Sequence, residues 1–258
     1  MDAVILPDRT IPRMFTPEER IRLREALVAA AREDPRISGG ALTGSAAAST
    51  EDRWSDIDLA FGLRPGTDMQ AVLADFSERM YERHDAVDHL DVPFARWIYR
   101  VFLMRSSLQV DLAFVPDDDF RARAPSFRLL FGSSREPQHA PPPDARQLVG
   151  YAWLYALHAR SSIARGKLWQ AEYMVSAVRD HVLALACVRL GLPAREGRGM
   201  DRLPRDVTER VVGALVQGID AQELRRAAHV AIEALIDEIR KVDVSLAGRL
   251  DDPLRELA

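Results

Sequence analysis

Three acidic residues stand where core side chains are expected. Asp56 and Asp58 bracket Ile57 in Asp56-Ile57-Asp58-Leu59-Ala60-Phe61, and Asp111 interrupts Val110-Asp111-Leu112. Both runs read as strands, and residues two apart on a strand share a face. Asp56 and Asp58 therefore point the same way, while Ile57 and Leu59 anchor the opposite face in a core. Asp111, flanked by Val110 and Leu112, follows the same logic. If the two strands are neighbours, three carboxylates converge in space. Carboxylates that close repel, and burial makes the conflict worse; a divalent cation resolves it.

Separated from Asp56 by ten residues stands a second feature, Gly44-Ser45, which follows an apolar strand over 37–43 and precedes Ala46-Ala47-Ala48, a short helix start. Glycine lets a backbone approach a phosphate closely. Ser45 offers a hydroxyl and an amide, and the helix start adds amide donors aimed at an anion. A lone Gly-Ser or a lone Asp-x-Asp is common and usually carries no chemistry. The joint pattern is far more specific: strand, Gly-Ser, ten residues, Asp-x-Asp-hydrophobic, and a later strand acid. Mg²⁺ suits such a site because it takes a few carboxylates together with phosphate oxygens. Two ions about 4 Å apart would orient an attacking hydroxyl and stabilise leaving pyrophosphate.

The chain divides into two halves of different pattern. Thr16-Pro17-Glu18-Glu19 opens a helix that runs to about Asp34, with Thr16 as cap, Pro17 in the first turn and Glu19 completing a capping box. After the two motif strands' first member, an amphipathic helix is predicted over 68–83, then strands over 97–104 and 108–115 joined by Arg105-Ser106-Ser107 as a hairpin. Pro141-Pro142-Pro143 makes a stiff extended linker. Beyond it the pattern is helical, near 144–165, 168–190, 204–217 and 221–242, with Gly191 stopping the second and Asp220 capping the last. No internal repeat is visible. The expected architecture is an α/β (α+β) domain over residues 1–136, a Pro-rich linker over 137–143 and a helical bundle over 144–258.

At Leu42-Thr43-Gly44-Ser45, Ser55-Asp56-Ile57-Asp58-Leu59 and Gln109-Val110-Asp111-Leu112 the sequence resembles the DNA polymerase β-like nucleotidyltransferase superfamily. The resemblance covers roughly residues 18–132. It implies a mixed sheet flanked by helices and two-metal chemistry, with Asp56, Asp58 and Asp111 as Mg²⁺ ligands and Gly44 and Ser45 holding a nucleoside triphosphate. One departure is present: many members have glycine four residues after the motif serine, where this chain has Ser49. The turn is therefore expected to be tighter or differently shaped.

In the helical half, Glu172, Ser176 and Arg179 recur at i, i+4 and i+7 and form one polar stripe. Glu172 is a candidate general base for an acceptor hydroxyl. Lys167 is a candidate point charge for a triphosphate, and Arg179 either does the same or holds the acid. Lys167 is notable because it and Lys241 are the only lysines among 35 basic residues. This arrangement looks like the small-molecule antibiotic nucleotidyltransferases of the kanamycin and lincosamide type, where a helical domain supplies a base glutamate. The competing reading is a solvated stripe with local ion pairing.

Other candidates are weaker. His84, Asp85, Asp88, His89 and Asp91 imitate a metal cluster, but a polar loop before the Trp97 strand explains them equally well. Asp117-Asp118-Asp119 reads as the cap of a short helix. Tyr151, Tyr155 and His158 share a helical face, as core or as the wall of an acceptor pocket. The single cysteine, Cys187, sits in an apolar run and reads as core.

With a net charge of −4 and no basic tract, a general nucleic-acid-binding surface is not expected. Residues 1–8 lack the features of a secretory signal, and no stretch is long and apolar enough to span a membrane, so a cytoplasmic protein is expected. The leading expectation is an enzyme: a Mg²⁺-dependent nucleotidyltransferase moving a nucleoside monophosphate, with ATP as first candidate donor, to a hydroxyl of a small molecule. The same resemblance is compatible with a homodimer. The alternatives are transfer to RNA or protein, and a non-catalytic nucleotide-binding or toxin–antitoxin module. The Arg-x4-6-His signature of helical RNases is not matched, because Arg225 and Arg226 stand too close to His229.

Overall fold

The structure, a computed structural model, describes residues 14–257. The N-terminal stretch judged for a secretory signal lies outside the described residues. The chain divides into two compact units between Ala140 and Pro141. No helix among the described residues is long and apolar enough to cross a membrane.

The first unit is a six-stranded mixed sheet with helices. Its elements in chain order are α1 (Pro17–Glu33), β1 (Ile37–Thr43), α2 (Gly44–Ala48), β2 (Ile57–Leu63), α3 (Met69–Arg83), β3 (Ala86–Phe94), β4 (Trp97–Met104), β5 (Gln109–Pro116) and β6 (Phe127–Phe131). The sheet order is β3-β4-β5-β2-β1-β6. β2 and β5 run parallel and every other pair antiparallel. The capping box forms as its residues require: the Glu19 N–H donates to Thr16 Oγ1 at 3.2 Å, and the Thr16 N–H donates to Glu19 Oε2 at 2.8 Å. Asp68 caps α3 by accepting from the Gln70 N–H at 2.9 Å.

Strand alternation gives the sheet two different faces. Ile57, Leu59 and Phe61 of β2 enter the main core with Leu27 and Ala31 of α1 and Val72, Leu73, Phe76 and Met80 of α3. Phe61, Phe76 and Phe114 knit this core, with ring centroids 5.2–5.7 Å apart. The opposite face carries Asp58 and Asp111. At its covered end Ala60, Trp97, Ala113, Val115 and Phe120 form a smaller cluster.

Two strands depart from the sequence reading. The stretch whose polarity reads as a loop is the edge strand β3. Its Asp91 stands opposite Arg100 of β4 and accepts from Arg100 Nε and Nη2, each at 2.7 Å. His89 meets Tyr81, with Nδ1 2.5 Å from the phenol oxygen. β6 was not foreseen either; it pairs with β1 on the other edge. Asp117–Asp119 form a 3₁₀ turn whose acids are paired with Arg135, Arg96 and Arg123.

The second unit contains α4 (Ala145–Ala164), α5 (Leu168–Arg189), α6 (Arg205–Val212), α7 (Ala221–Val242) and α8 (Val244–Arg255). α6 is shorter than the predicted 204–217. α8 was not foreseen, because Gly248 and Pro253 lie within it. Asp243 ends α7 and caps α8 by accepting from the Leu246 N–H at 2.8 Å. The core of this unit is aliphatic, built on Val178, Val182, Leu185, Ile232, Leu235 and Ile239. Cys187 is buried, and burial pushes its thiol pKa up, as a packing residue requires.

Candidate functional site

The register of two parallel strands assembles the site. Asp58 of β2 stands directly opposite Asp111 of β5, between the pairs Ile57–Val110 and Leu59–Leu112. Asp56 lies just before β2. The three side chains are partly exposed, and each offers a carboxylate oxygen within 4.8 Å of the other two. At that separation and an effective dielectric of about 20, each pair of ionised carboxylates repels by on the order of 3 kcal/mol. Among the described residues this is the one cluster of three or more side chains suited to a cation. The five residues of 84–91 do not form another. Gln109, two residues before Asp111 on β5, donates from Nε2 to both Asp111 oxygens, at 2.9 and 3.2 Å. Sequence reasoning missed this partner, although its i, i+2 spacing on a strand puts it on the acid face.

The Gly44-Ser45 turn is pressed against the acids. Gly44 has φ +58°, and a β-carbon on it would stand 1.9 Å from Asp58 Oδ2. Only glycine permits both the backbone conformation and the approach. The Ser45 Oγ is buried and finds no hydrogen-bond partner among the described residues. An orphaned buried hydroxyl beside a carboxylate cluster fits a site built for a ligand that brings its own polar atoms. The donor set therefore suits a hard divalent cation and phosphate oxygens.

α2 is a single turn closed at both ends by left-handed residues. Ser49, where the resemblance leads one to look for glycine, takes φ 56° and ψ 36°. It adopts the conformation glycine would supply. The turn is held from outside by Arg128 of β6, which donates to the Ala46 carbonyl at 3.3 Å.

Between this turn and Asp56 the chain crosses residues 50–55, tied down by a buried arginine that the sequence reading passed over. Arg20 of α1 is 3% exposed. Its Nη1 donates to the carbonyls of Asp52 at 2.6 Å and Ser55 at 2.9 Å. Glu51 lies 3.3 Å from Arg20 Nε and 2.6 Å from Arg24 Nη1. The loop also closes on itself. Asp52 Oδ1 accepts from the Trp54 N–H at 2.8 Å and the Ser55 hydroxyl at 3.1 Å. The Trp54 amide, then the Ser55 hydroxyl, hold the Asp52 carboxyl below the usual range. The signal was present in the sequence: an arginine within the first two turns of an amphipathic helix, at a position the core face claims.

In the helical unit the residues singled out have local partners. Glu172 Oε1 accepts from the Ser176 hydroxyl at 2.7 Å. Arg179 does not hold Glu172: its Nε and Nη2 reach Asp180 at 2.9 and 2.8 Å. Lys167 is exposed and occupies the N-cap position of α5. Tyr151 and Tyr155 stack, and both rings meet His181, with the Tyr155 and His181 centroids 5.2 Å apart. His181 and Glu172 are nine residues apart on α5, hence about 180° around the helix. The aromatic cluster and the carboxylate thus serve different faces. His158 is exposed and takes no part in it.

Compared with known proteins, the chain matches no family profile and no curated sequence. Among solved structures it aligns with an aminoglycoside 6-adenyltransferase from Bacillus subtilis at 13% identity and a TM-score of 0.42, over 93% of this chain and 98% of that one. A likeness at this level leaves function to be argued from the site itself.

Proposed function

We propose that the chain is a nucleotidyltransferase, with Asp56, Asp58 and Asp111 holding divalent cations and Gly44-Ser45 receiving the phosphates of a nucleoside triphosphate. The observation that carries this reading is the packing of Gly44 against Asp58 Oδ2, with Asp111 in register on the next strand. It sets a turn with no side chain, followed by a buried Ser45 hydroxyl without a hydrogen-bond partner among the described residues, against a carboxylate set suited to a cation. Bound Mg²⁺, as two ions, would neutralise the triphosphate and lower the pKa of the attacking hydroxyl.

The chain's own residues then have distinct tasks. Gly44, having no side chain, lets the turn close on the Asp58 carboxylate, and the Ser45 hydroxyl would donate to a phosphate oxygen. Arg20 fixes the loop that presents Asp56. Gln109 orients the Asp111 carboxylate. In the reaction the acceptor oxygen forms a bond to the α-phosphorus. The bond from that phosphorus to the bridging oxygen breaks, and pyrophosphate leaves with the electron pair. The hydroxyl proton passes to a carboxylate, a role we assign to Glu172, held by Ser176. Lys167 and Arg179 are the cations we propose for the triphosphate. ATP is the first candidate donor and a small-molecule hydroxyl compound the acceptor, the class modified in antibiotic resistance.

The test is pyrophosphate release measured with four nucleoside triphosphates against aminoglycosides, lincosamides and RNA. Acceptor-dependent release that needs Mg²⁺ and disappears in Asp56→Ala/Asp58→Ala is expected. Glu172→Gln is expected to lower turnover at least a hundredfold with triphosphate affinity nearly intact. Triphosphate binding without turnover for any acceptor would replace the enzyme by a nucleotide-binding module. Release with RNA alone would move the acceptor to nucleic acid.

A further inference from the structure

The sheet face that carries Asp111 continues as an apolar surface. Val101 of β4 stands opposite Asp111, and Leu90 of β3 stands opposite Val101. The flanking rows are Gln109–Leu103–Asp88 and Ala113–Tyr99–Val92. Adjacent strands are about 4.8 Å apart, so Leu90 lies roughly 10 Å from the Asp111 strand along one line of cross-strand neighbours. Leu90 is 64% exposed, Leu103 52%, Phe94 48% and Val92 44%. On these three strands, the charged side chains of this face are Asp111 itself and Asp88.

Position assigns this surface. Gly44-Ser45 reaches Asp58 from the β1 side, whereas Asp111 borders β4. If the triphosphate rests on Gly44-Ser45, the acceptor approaches from the Asp111 side, across β4 and β3. That ground is apolar between Asp111 and Asp88, and the acids at its Trp97 end, Asp118 and Asp119, are already paired with Arg96 and Arg123. Resting on the nucleotidyltransferase reading above, we propose that the acceptor is an uncharged hydroxyl compound with a flat apolar body. The body lies on Val101, Leu103 and Leu90, and the hydroxyl is turned toward Asp111.

The size of the surface favours a small molecule over a second copy of the chain. Four side chains at about half exposure present on the order of 350 Å², within the roughly 300–600 Å² of the largest patch on a typical monomer. Each partner of a stable interface contributes about 800 Å².

The test uses 2-naphthyl β-glucoside, which carries hydroxyls on an aromatic body, against kanamycin, a polycation. The variants are Leu90→Lys and Leu103→Lys, both at exposed positions and checked for fold by circular dichroism. Naphthyl fluorescence is expected to report saturable binding that weakens at least tenfold in each variant. In pyrophosphate release, the glucoside is expected to have the higher kcat/KM, and the variants to raise its KM at least tenfold with the triphosphate KM unchanged. No glucoside binding, binding that both variants leave intact, or preference for kanamycin overturns the proposal. So does a wild-type dimer that either variant dissociates in sedimentation. Failure of the underlying reading looks different: no pyrophosphate release in any arm, whatever the glucoside does.

Discussion

Asp58 Oδ2 occupies the space that a β-carbon on residue 44 would fill, 1.9 Å from its ideal position. Gly44→Ala must therefore displace the carboxylate and also hold alanine at φ +58°. The backbone component alone is about 1–2 kcal/mol. The expected outcome is a loss of about 1–3 kcal/mol in urea unfolding, with pyrophosphate release reduced at least a hundredfold. Ser49 is the control. It shares the left-handed conformation, at φ 56°, but stands exposed at the far end of the turn. Ser49→Gly is expected to leave activity within about twofold and stability within about 1 kcal/mol of wild type.

The three clustered carboxylates make stability depend on cations. A ligand at ten times its Kd stabilises the folded state by about 1.4 kcal/mol, which moves a midpoint by roughly 3–6 °C. Mg²⁺ is expected to raise the thermal midpoint of the α/β unit by that amount and EDTA to reverse it. In Asp56→Asn one negative charge is removed from a cluster whose oxygens lie within 4.8 Å. The variant is expected to equal or exceed wild type in EDTA, to gain less from Mg²⁺, and to lose activity. A Mg²⁺ response identical to wild type would remove Asp56 from the ligand set.

What the sequence made legible follows one rule: elements announced by alternation or by a cap could be placed. β1 and α7 fall where expected, because Gly44 and Asp220 mark an end and a start. Asp56, Asp58 and Asp111 were found because an acid in an apolar strand is conspicuous. β3 was hidden because an edge strand need bury only one residue in two, and this one buries fewer; Asp88, His89 and Asp91 made it read as loop. α8 was hidden by Gly248 and Pro253. Spacing places Arg20 on the core side of α1, but its partners at residues 51–55 are remote in sequence, so the pattern shows its burial and not its role. Gln109 lies two residues from Asp111 on the same strand, and the same spacing argument reaches it. In the helical unit Glu172, Ser176 and Arg179 share a stripe by spacing, but spacing does not decide that Ser176 donates to the acid and that Arg179 pairs with Asp180.

β3 also gives a pH prediction. Arg100 hydrogen-bonds Asp91 and holds its carboxyl below the ordinary range. A carboxylate with a lowered folded-state pKa contributes its full stabilisation above its unfolded pKa, near 4. That contribution is lost as pH falls through the lower folded value. Asp91→Asn is therefore expected to be less stable than wild type at pH 7, with the gap between urea midpoints closing below about pH 4. A gap that is constant across pH 3–7 would show that the Asp91–Arg100 pair contributes nothing through ionisation.

Arg20 couples the stability of α1 to the geometry of the acids. Its guanidinium is buried, and one nitrogen serves two backbone carbonyls of the loop that ends at Asp56. Arg20→Met keeps most of the apolar stem but leaves the Asp52 and Ser55 carbonyls without their donor. Losing hydrogen bonds to a charged group in a buried setting costs about 1.5–3 kcal/mol each, less where water can enter the loop. An overall loss of roughly 2–4 kcal/mol in urea unfolding is expected. Arg20→Lys restores a charge but not the planar fork, so it should recover part of the stability. The activity readout separates support from positioning. If Arg20 positions Asp56, Arg20→Lys under fully folded conditions will show a lower kcat and a raised Mg²⁺ requirement, with the triphosphate KM little changed. If it matters for folding alone, the folded variant will keep the wild-type kcat and Mg²⁺ dependence.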